Sequence, residues 1–271
     1  MGDAFGVRRV RRGPPRRLRR ARSAAGFVDD RRGADRAGRI LQAGTLGAVT
    51  APSTNTDSAS ESQRVRALVI KAVDAAAALI GRDEVAARWS EPSALAGMTV
   101  GALCAHLVRA AGSVLAYLDR TDPAARPDDV LLTPVAYFHA AIESPIHERI
   151  KEVSAAEATA GPSDLATRCA EMATSMRSRL AAEPSDRLVA ALGGRMLSLN
   201  DFCRTRLIEV LLHVDDVAVS VGLARPVTNT DGPAIVIDIL IGIARMEHGD
   251  WALLHALARN ERRAVDVFPV F

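Results

Sequence analysis

The stretch SLNDFCRTRLIEVLLHVDDVAVSVGL, residues 198–223, decides the fold. Leu207, Ile208, Val210, Leu211, Leu212, Val214 and Val217 cover nearly every direction around a helix that starts somewhere after Gly193, and Gly222 suits its C-cap. Within the apolar run Arg206, Glu209, His213 and Asp216 follow one another at three, four and three, which puts them on one face. A helix apolar in so many directions belongs in a core, so at least part of this polar stripe points into a bundle.

A carboxylate and an imidazole taken out of water without partners cost roughly several kcal/mol. Two arrangements relieve that cost. Glu209 and His213, at i and i+4, can both reach one divalent ion from a single turn, or they can pair in a structural hydrogen-bond network. Spacing leaves both open. A metal site needs a third ligand from another helix, and His106 is the best placed of the other histidines, mid-helix among Leu103, Leu107 and Ala110. His139 and His147 fall in the loop-rich middle, His248 sits beside Gly249 at a helix junction, and His255 lies between Leu254 and Ala256. Cys104, two residues before His106, points to another face of its helix.

Outward from these residues the pattern stays helical. Val65, Leu68, Val69, Ala72, Val73, Ala76 and Leu79 recur at threes and fours and predict a helix from about Gln63 to Ile80. Thr99 is a credible N-cap for a helix to about Leu118. After a proline-bearing connection over residues 121–135, a helical stretch runs from about Tyr137 to Val153, and another, with Ser163 as a candidate cap, from about Asp164 to Ala182. Two shorter segments, about Ala234 to Met246 and Asp250 to Asn260, follow the turn at Asn229 to Pro233. The first would suit a strand by composition, but no partner strand is evident and a lone strand cannot satisfy its backbone, so it reads as a buried helix. The economical architecture is an all-α bundle of four principal helices with additional short C-terminal helices.

The amino-terminal part differs in kind. Residues 1–40 carry thirteen arginines against four aspartates, a formal +9 on a chain whose total is +3, which leaves about −6 for the rest. The pI of 9.0 therefore belongs to an arm. That arm is either a nucleic-acid or anionic-membrane contact or a solvated tail; it lacks the aromatic interleaving of a nucleic-acid surface. TAPSTNTDSASES, residues 50–62, reads as a disordered connector. The division expected is thus 1–62 as arm and connector, 63–228 as the bundle, and 229–271 as a helical extension packed on it.

No sustained apolar core follows the basic run, so no secretory signal is expected. The apolar stretch around Ala234 to Ile243 is too short to cross a bilayer and contains Asp238. Cys104, Cys169 and Cys203 form neither an even disulfide set nor a CxxC pair, which suits the cytoplasm.

GMTVGALCAHLVRA, residues 97–110, resembles the GWTVRDLVAHL-type segment of the mycothiol-dependent maleylpyruvate isomerase metal-binding domain, within the DinB/YfiT-like four-helix superfamily. TRLIEVLLHVDDVAVSVGL, residues 205–223, is similar to that family's ExxxH helix with its trailing aspartates. The resemblance, over about residues 64–260, implies a DinB-like bundle with His106, Glu209 and His213 as ligands of zinc or a similar divalent ion such as nickel. It also implies mycothiol as co-substrate, added to a small electrophilic substrate that is then isomerised or kept as a thiol adduct. SALAGMT stands where many members have a PCPGWT-like turn, and only about fifty residues follow Gly222, so maleylpyruvate itself is not implied. Asp216 is then a candidate to orient an imidazole, and Arg206 to pair with Glu209 or receive a substrate carboxylate. Asp215, off the stripe, is expected at the surface, and Arg245 and His248 are placed to close a pocket. A metal-dependent hydrolase on the same bundle and a non-catalytic metal-binding or regulatory bundle remain the alternatives. No membrane partner is expected, nucleic acid would be met only through the arginine-rich arm, and the chain is expected as a monomer or homodimer.

Overall fold

The computed structural model describes residues 54–127, 130–142, 146–191, 194–228, 231–262 and 267–270. The arginine-rich arm lies outside them. Four long helices form the core: α1 (Thr54–Ile80), α3 (Val100–Arg120), α6 (Pro162–Ala182) and α7 (Leu199–Val221). Both α6 and α7 pack against α1 and α3, which closes the four into a bundle. The centre is aliphatic: Leu103 and Leu107 of α3, Leu165, Met176 and Leu180 of α6, and Leu207 and Ile208 of α7 are wholly buried, together with Phe202. Each contributes about 1.5–3 kcal/mol by leaving water.

Local signals fix where these helices begin and end. Thr99 caps α3, its Oγ1 accepting from the Ala102 amide at 3.1 Å. Ser198 caps α7 in the same way through the Asp201 amide at 3.0 Å, and Gly222 ends it in the left-handed conformation at φ 74°. The entry to α3 is pinned by Trp89, whose indole lies 2.6 Å from where a Cβ on Gly101 would sit and donates to the Ala158 carbonyl at 3.1 Å.

Several expectations are corrected. Helix α1 begins at Thr54, inside the Ser/Thr-rich stretch read as connector to residue 62. Its polar residues find partners on α7: Glu61 pairs with Arg204 at 2.9 Å, and the buried Ser62 accepts from Asn200 at 2.7 Å. The cap of α6 is Gly161 with Pro162 in the first turn, not Ser163. The middle is two helices, α4 (Pro134–Ile142) and α5 (Ile146–Glu157), rather than one. A short α2 (Asp83–Ala87) precedes α3.

An antiparallel hairpin of β1 (Leu188–Ala191) and β2 (Arg195–Ser198), paired from Leu188↔Ser198 to Ala191↔Arg195, occupies the run into α7. Four residues a side are too few for alternation to announce a strand.

The C-terminal segments form α8 (Asp231–Ala258), kinked at Gly249, where φ is 80°. It packs on α4 and α7. It is buried along one stripe only, through Val236, Ile239, Ile243 and Ala244, while Ile237 and Met246 are exposed, so it is amphipathic rather than fully buried. By length and hydropathy α3 would also pass for a membrane span, unlike the 234–243 stretch considered from sequence. Its apolar faces are instead spent on the bundle, with twelve of its residues buried.

Candidate metal centre

Helices α3 and α7 lie side by side, and the inward polar residues of each meet between them. His106 comes from the middle of α3, Glu209 and His213 from successive turns of α7. Glu209 Oε2 lies 3.6 Å from His106 Nε2 and 3.4 Å from His213 Nε2. One donor atom from each of the three falls within 4.8 Å of the others. The imidazoles meet edge to face, with ring centroids 4.7 Å apart. Donors about 2.1 Å from one ion at tetrahedral angles stand about 3.4 Å apart, so these separations need little adjustment to take a divalent cation. The chemistry of the set fits as well: two imidazole nitrogens and one carboxylate oxygen are a borderline-soft donor set suited to zinc. The three side chains are between 13% and 21% exposed, so the cluster is sheltered but reachable.

Around them stand groups that set orientation and charge. Asp216 Oδ2 is 3.0 Å from His213 Nδ1, so the aspartate stands where it can orient this ring, as the sequence suggested. Arg206 is buried, stacked over Phe202 and Tyr137 at 5.0 and 5.4 Å from their ring centres, and donates to the Tyr137 hydroxyl at 3.2 Å. Its Nη2 is also 4.0 Å from Glu209 Oε1, so of its two candidate roles the structure displays the pairing with Glu209. On the other side, Arg109 reaches His106 Nδ1 at 3.2 Å.

These surroundings move the titrations apart. Burial pulls His106 below the ordinary histidine range, against its hydrogen bond to Glu209. Burial would raise Glu209, but hydrogen bonds from His106 and His213, with the Arg206 charge, hold it well below the usual carboxylate value. Burial would lower His213 too, yet hydrogen bonds to Asp216 and Glu209 prevail and raise it to about 9.

The other candidates lie elsewhere. Cys104 is fully buried away from the cluster, its thiol pushed up to about 12 by desolvation. Asp215 pairs with Arg225 at 3.5 Å on the surface, as expected off the stripe. His139 sits on α4, not in a loop, and meets Glu247 of α8 at 3.3 Å. Arg245 does not close the pocket: it is exposed and pairs with Asp250 at 2.5 Å across the Gly249 kink, and His248 is exposed beside it. Sequence reasoning missed Arg109 and Tyr137. The first was findable, being one turn after His106 in an apolar helix; nothing in the pattern links Tyr137 to α7.

The sequence pattern of the mycothiol maleylpyruvate isomerase N-terminal domain matches residues 70–218, more than half of the chain and all three donor residues. The chain belongs to this family. Neither a curated protein nor a solved structure matches it. The match to the mycothiol maleylpyruvate isomerase N-terminal domain begins within α1, takes in α3 and nearly all of α7, the helices that carry the cluster, and leaves α8 outside.

Proposed function

We propose that the protein holds a divalent ion, zinc or else nickel, on His106, Glu209 and His213, and uses it for mycothiol-dependent isomerisation or S-transfer on a small electrophilic substrate. The observation that carries this reading is the convergence of His106 Nε2, Glu209 Oε2 and His213 Nε2 from two helices that the family match spans. An ion so held supplies Lewis acidity, lowering the pKa of a thiol so that it is a thiolate at neutral pH.

The chain's own residues do the rest. Glu209 stays ionised and provides the anionic donor. Asp216 keeps the proton of His213 on Nδ1, leaving Nε2 as the ligating nitrogen. Arg206, fixed between Phe202 and Tyr137, holds a positive charge beside the second oxygen of Glu209 and discourages that oxygen from turning away. In the isomerisation the thiolate sulfur bonds to one alkene carbon as the π pair moves onto the neighbouring acceptor. The resulting single bond rotates, and expulsion of the thiolate restores the double bond, with no net redox change. A thiol co-substrate that must stay reduced suits the reducing cytoplasm.

Metal analysis of the wild type beside His213→Ala is the first test. The substitution is expected to remove most of the bound zinc or nickel; equal metal in the two proteins would sink the site. Turnover of an electrophilic alkene acid should then require added mycothiol. Turnover by water alone would favour a hydrolase, and metal without turnover a non-catalytic bundle.

A further inference from the structure

The two histidines of the cluster are held by opposite kinds of neighbour. Nδ1 of His213 faces a carboxylate oxygen of Asp216, which at neutral pH only accepts, so this nitrogen keeps its proton and Nε2 is the one it frees. Nδ1 of His106 faces the Arg109 guanidinium, Nη2 at 3.2 Å. A guanidinium has five N–H donors and no lone pair to offer. The acceptor in that contact must be His106 Nδ1. A neutral imidazole that accepts at Nδ1 carries its proton on Nε2, the nitrogen that points at Glu209 Oε2, and a protonated nitrogen has no lone pair for a cation.

Arg109 is held in place from α5. The same Nη2 donates to Ser154 Oγ at 2.9 Å and lies 3.4 Å from the Ile150 carbonyl, and Nη1 is 3.6 Å from Glu157 Oε2. Ser154 is wholly buried and itself donates to the Ile150 carbonyl at 2.6 Å. Two N–H bonds on Nη2 therefore face three acceptors. The guanidinium can give up His106 without being left unpaired, so the contact is releasable.

We infer that Arg109 is a positioning residue that holds His106 in its Nε2–H tautomer, so that loading a cation onto the site requires the guanidinium to release Nδ1. The proton balance is neutral: Nε2 loses a proton to solvent and Nδ1 gains one, with no change in the charge of the ring. Until the guanidinium turns away, that new Nδ1–H faces a cation where metal-bound histidines normally find a carboxylate or carbonyl. Arg109 thus works against the cation, and α5, which grips the guanidinium, is the element whose position governs its release. The inference rests on the proposed metal site for its consequence, but the tautomer can be read without any metal.

Long-range proton–nitrogen correlation spectra of the metal-free full chain, recorded at slightly alkaline pH, should show His106 protonated at Nε2 and bare at Nδ1. The reverse tautomer overturns the inference. Zinc affinity by competition with a chelator then tests the consequence. Arg109→Met, which keeps the aliphatic stem and removes the donors, should bind zinc about tenfold more tightly, whereas Arg109→Lys, which keeps a donor cation, should stay within about threefold of wild type. Unchanged or weaker binding by Arg109→Met with an intact helical spectrum overturns the inference. If that variant fails to fold, the wild-type spectrum still decides. A wild type that shows the Nε2–H tautomer but takes up no zinc would sink the metal reading and leave the tautomer standing.

Discussion

Among the described residues, two sets of inward-facing polar side chains in the apolar bundle are built on opposite plans. Near the start of α7, Arg66 donates to the Leu180, Glu183 and Pro184 carbonyls at 2.8, 2.6 and 2.8 Å and to Asn200 Oδ1 at 2.9 Å. Arg187 does the same for the end of α3, reaching the Thr121 carbonyl at 2.7 Å and the Asp122 carbonyl at 3.2 Å. These are carbonyls at and just beyond helix C-termini, which have no intrahelical partner, and the arginines close them off. Between α3 and α7 the plan is reversed: polar atoms of His106, Glu209 and His213 converge on one another rather than on backbone carbonyls, with one ligand atom from each within 4.8 Å of the others. The difference teaches how a buried polar residue is to be interpreted. Saturation by backbone marks a staple, and convergence of donor atoms on one point marks a site.

The contrast can be broken by a staple that turns out to matter for metal, or a site residue that turns out to matter for folding. The largest stability effect is expected at the staple. Arg66→Met removes four hydrogen bonds and strands their acceptors, and should cost about 3 kcal/mol in urea unfolding, since bonds to charged groups are the strong ones and orphaned buried acceptors are expensive. Zinc content at native conditions should not change. Loss of both together would mean that the two regions are one cooperative network.

At the site the balance inverts. Asp216→Asn should weaken zinc about tenfold, as changes to an outer-shell partner of a ligand do, and should lower metal-free stability by less than Arg66→Met does. The pH dependence gives this prediction its sign. His213 in the metal-free fold is raised to about 9 from an ordinary 6.5, so its contribution to stability is fully present below 6.5 and is lost as pH rises through 9. A cation requires the neutral ring, so the gain in melting temperature on adding zinc should grow from pH 6.5 to 9. In Asp216→Asn that growth should be complete at lower pH, because one of the two bonds that hold the proton is gone. A zinc-induced gain that is flat over this window would remove His213 from the ligand set.

The fold and the cluster were legible from sequence to different depths, for physical reasons. Periodicity at threes and fours exposed the four bundle helices because each buries a face against two neighbours, and Thr99 and Gly222 announced their roles through local chemistry alone. The trio of His106, Glu209 and His213 was readable because a polar residue in an otherwise apolar helix has few reasons to be there. What stayed hidden depends on contacts distant in the chain. The connector that became the first turns of α1 looked unstructured because Glu61 and Ser62 are tied to Arg204 and Asn200 on α7, far along the chain. Tyr137 joins Arg206 from across the bundle, and no spacing rule connects them. The 188–198 hairpin is fastened to the rest through backbone bonds such as Leu132 N–H to the Met196 carbonyl at 2.8 Å, which leave no mark on side-chain pattern.

The smallest effect tests whether the site is held by packing or by the helix end. Gly222 has φ 74° and ψ 25°, and with it the Leu223 amide reaches back to the Ala218 carbonyl at 2.9 Å and the Gly222 amide to Val219 at 3.2 Å. This closes the C-terminus of the helix that carries Glu209 and His213. An alanine there must hold a left-handed backbone with a Cβ, at a cost of about 1 kcal/mol, which lowers the melting temperature by about 2–4 °C in a domain of this size. Upstream, Val210, Val214, Val217 and Ala218 are all buried against the bundle, and packing rather than the cap should keep the turn of His213 in register. Gly222→Ala is therefore expected to melt slightly earlier and to bind zinc as the wild type does. A zinc affinity that falls about tenfold with so small a loss of stability would mean that the cluster is positioned through the end of α7. The site would then belong with the staples, as a region whose geometry depends on how a helix terminates.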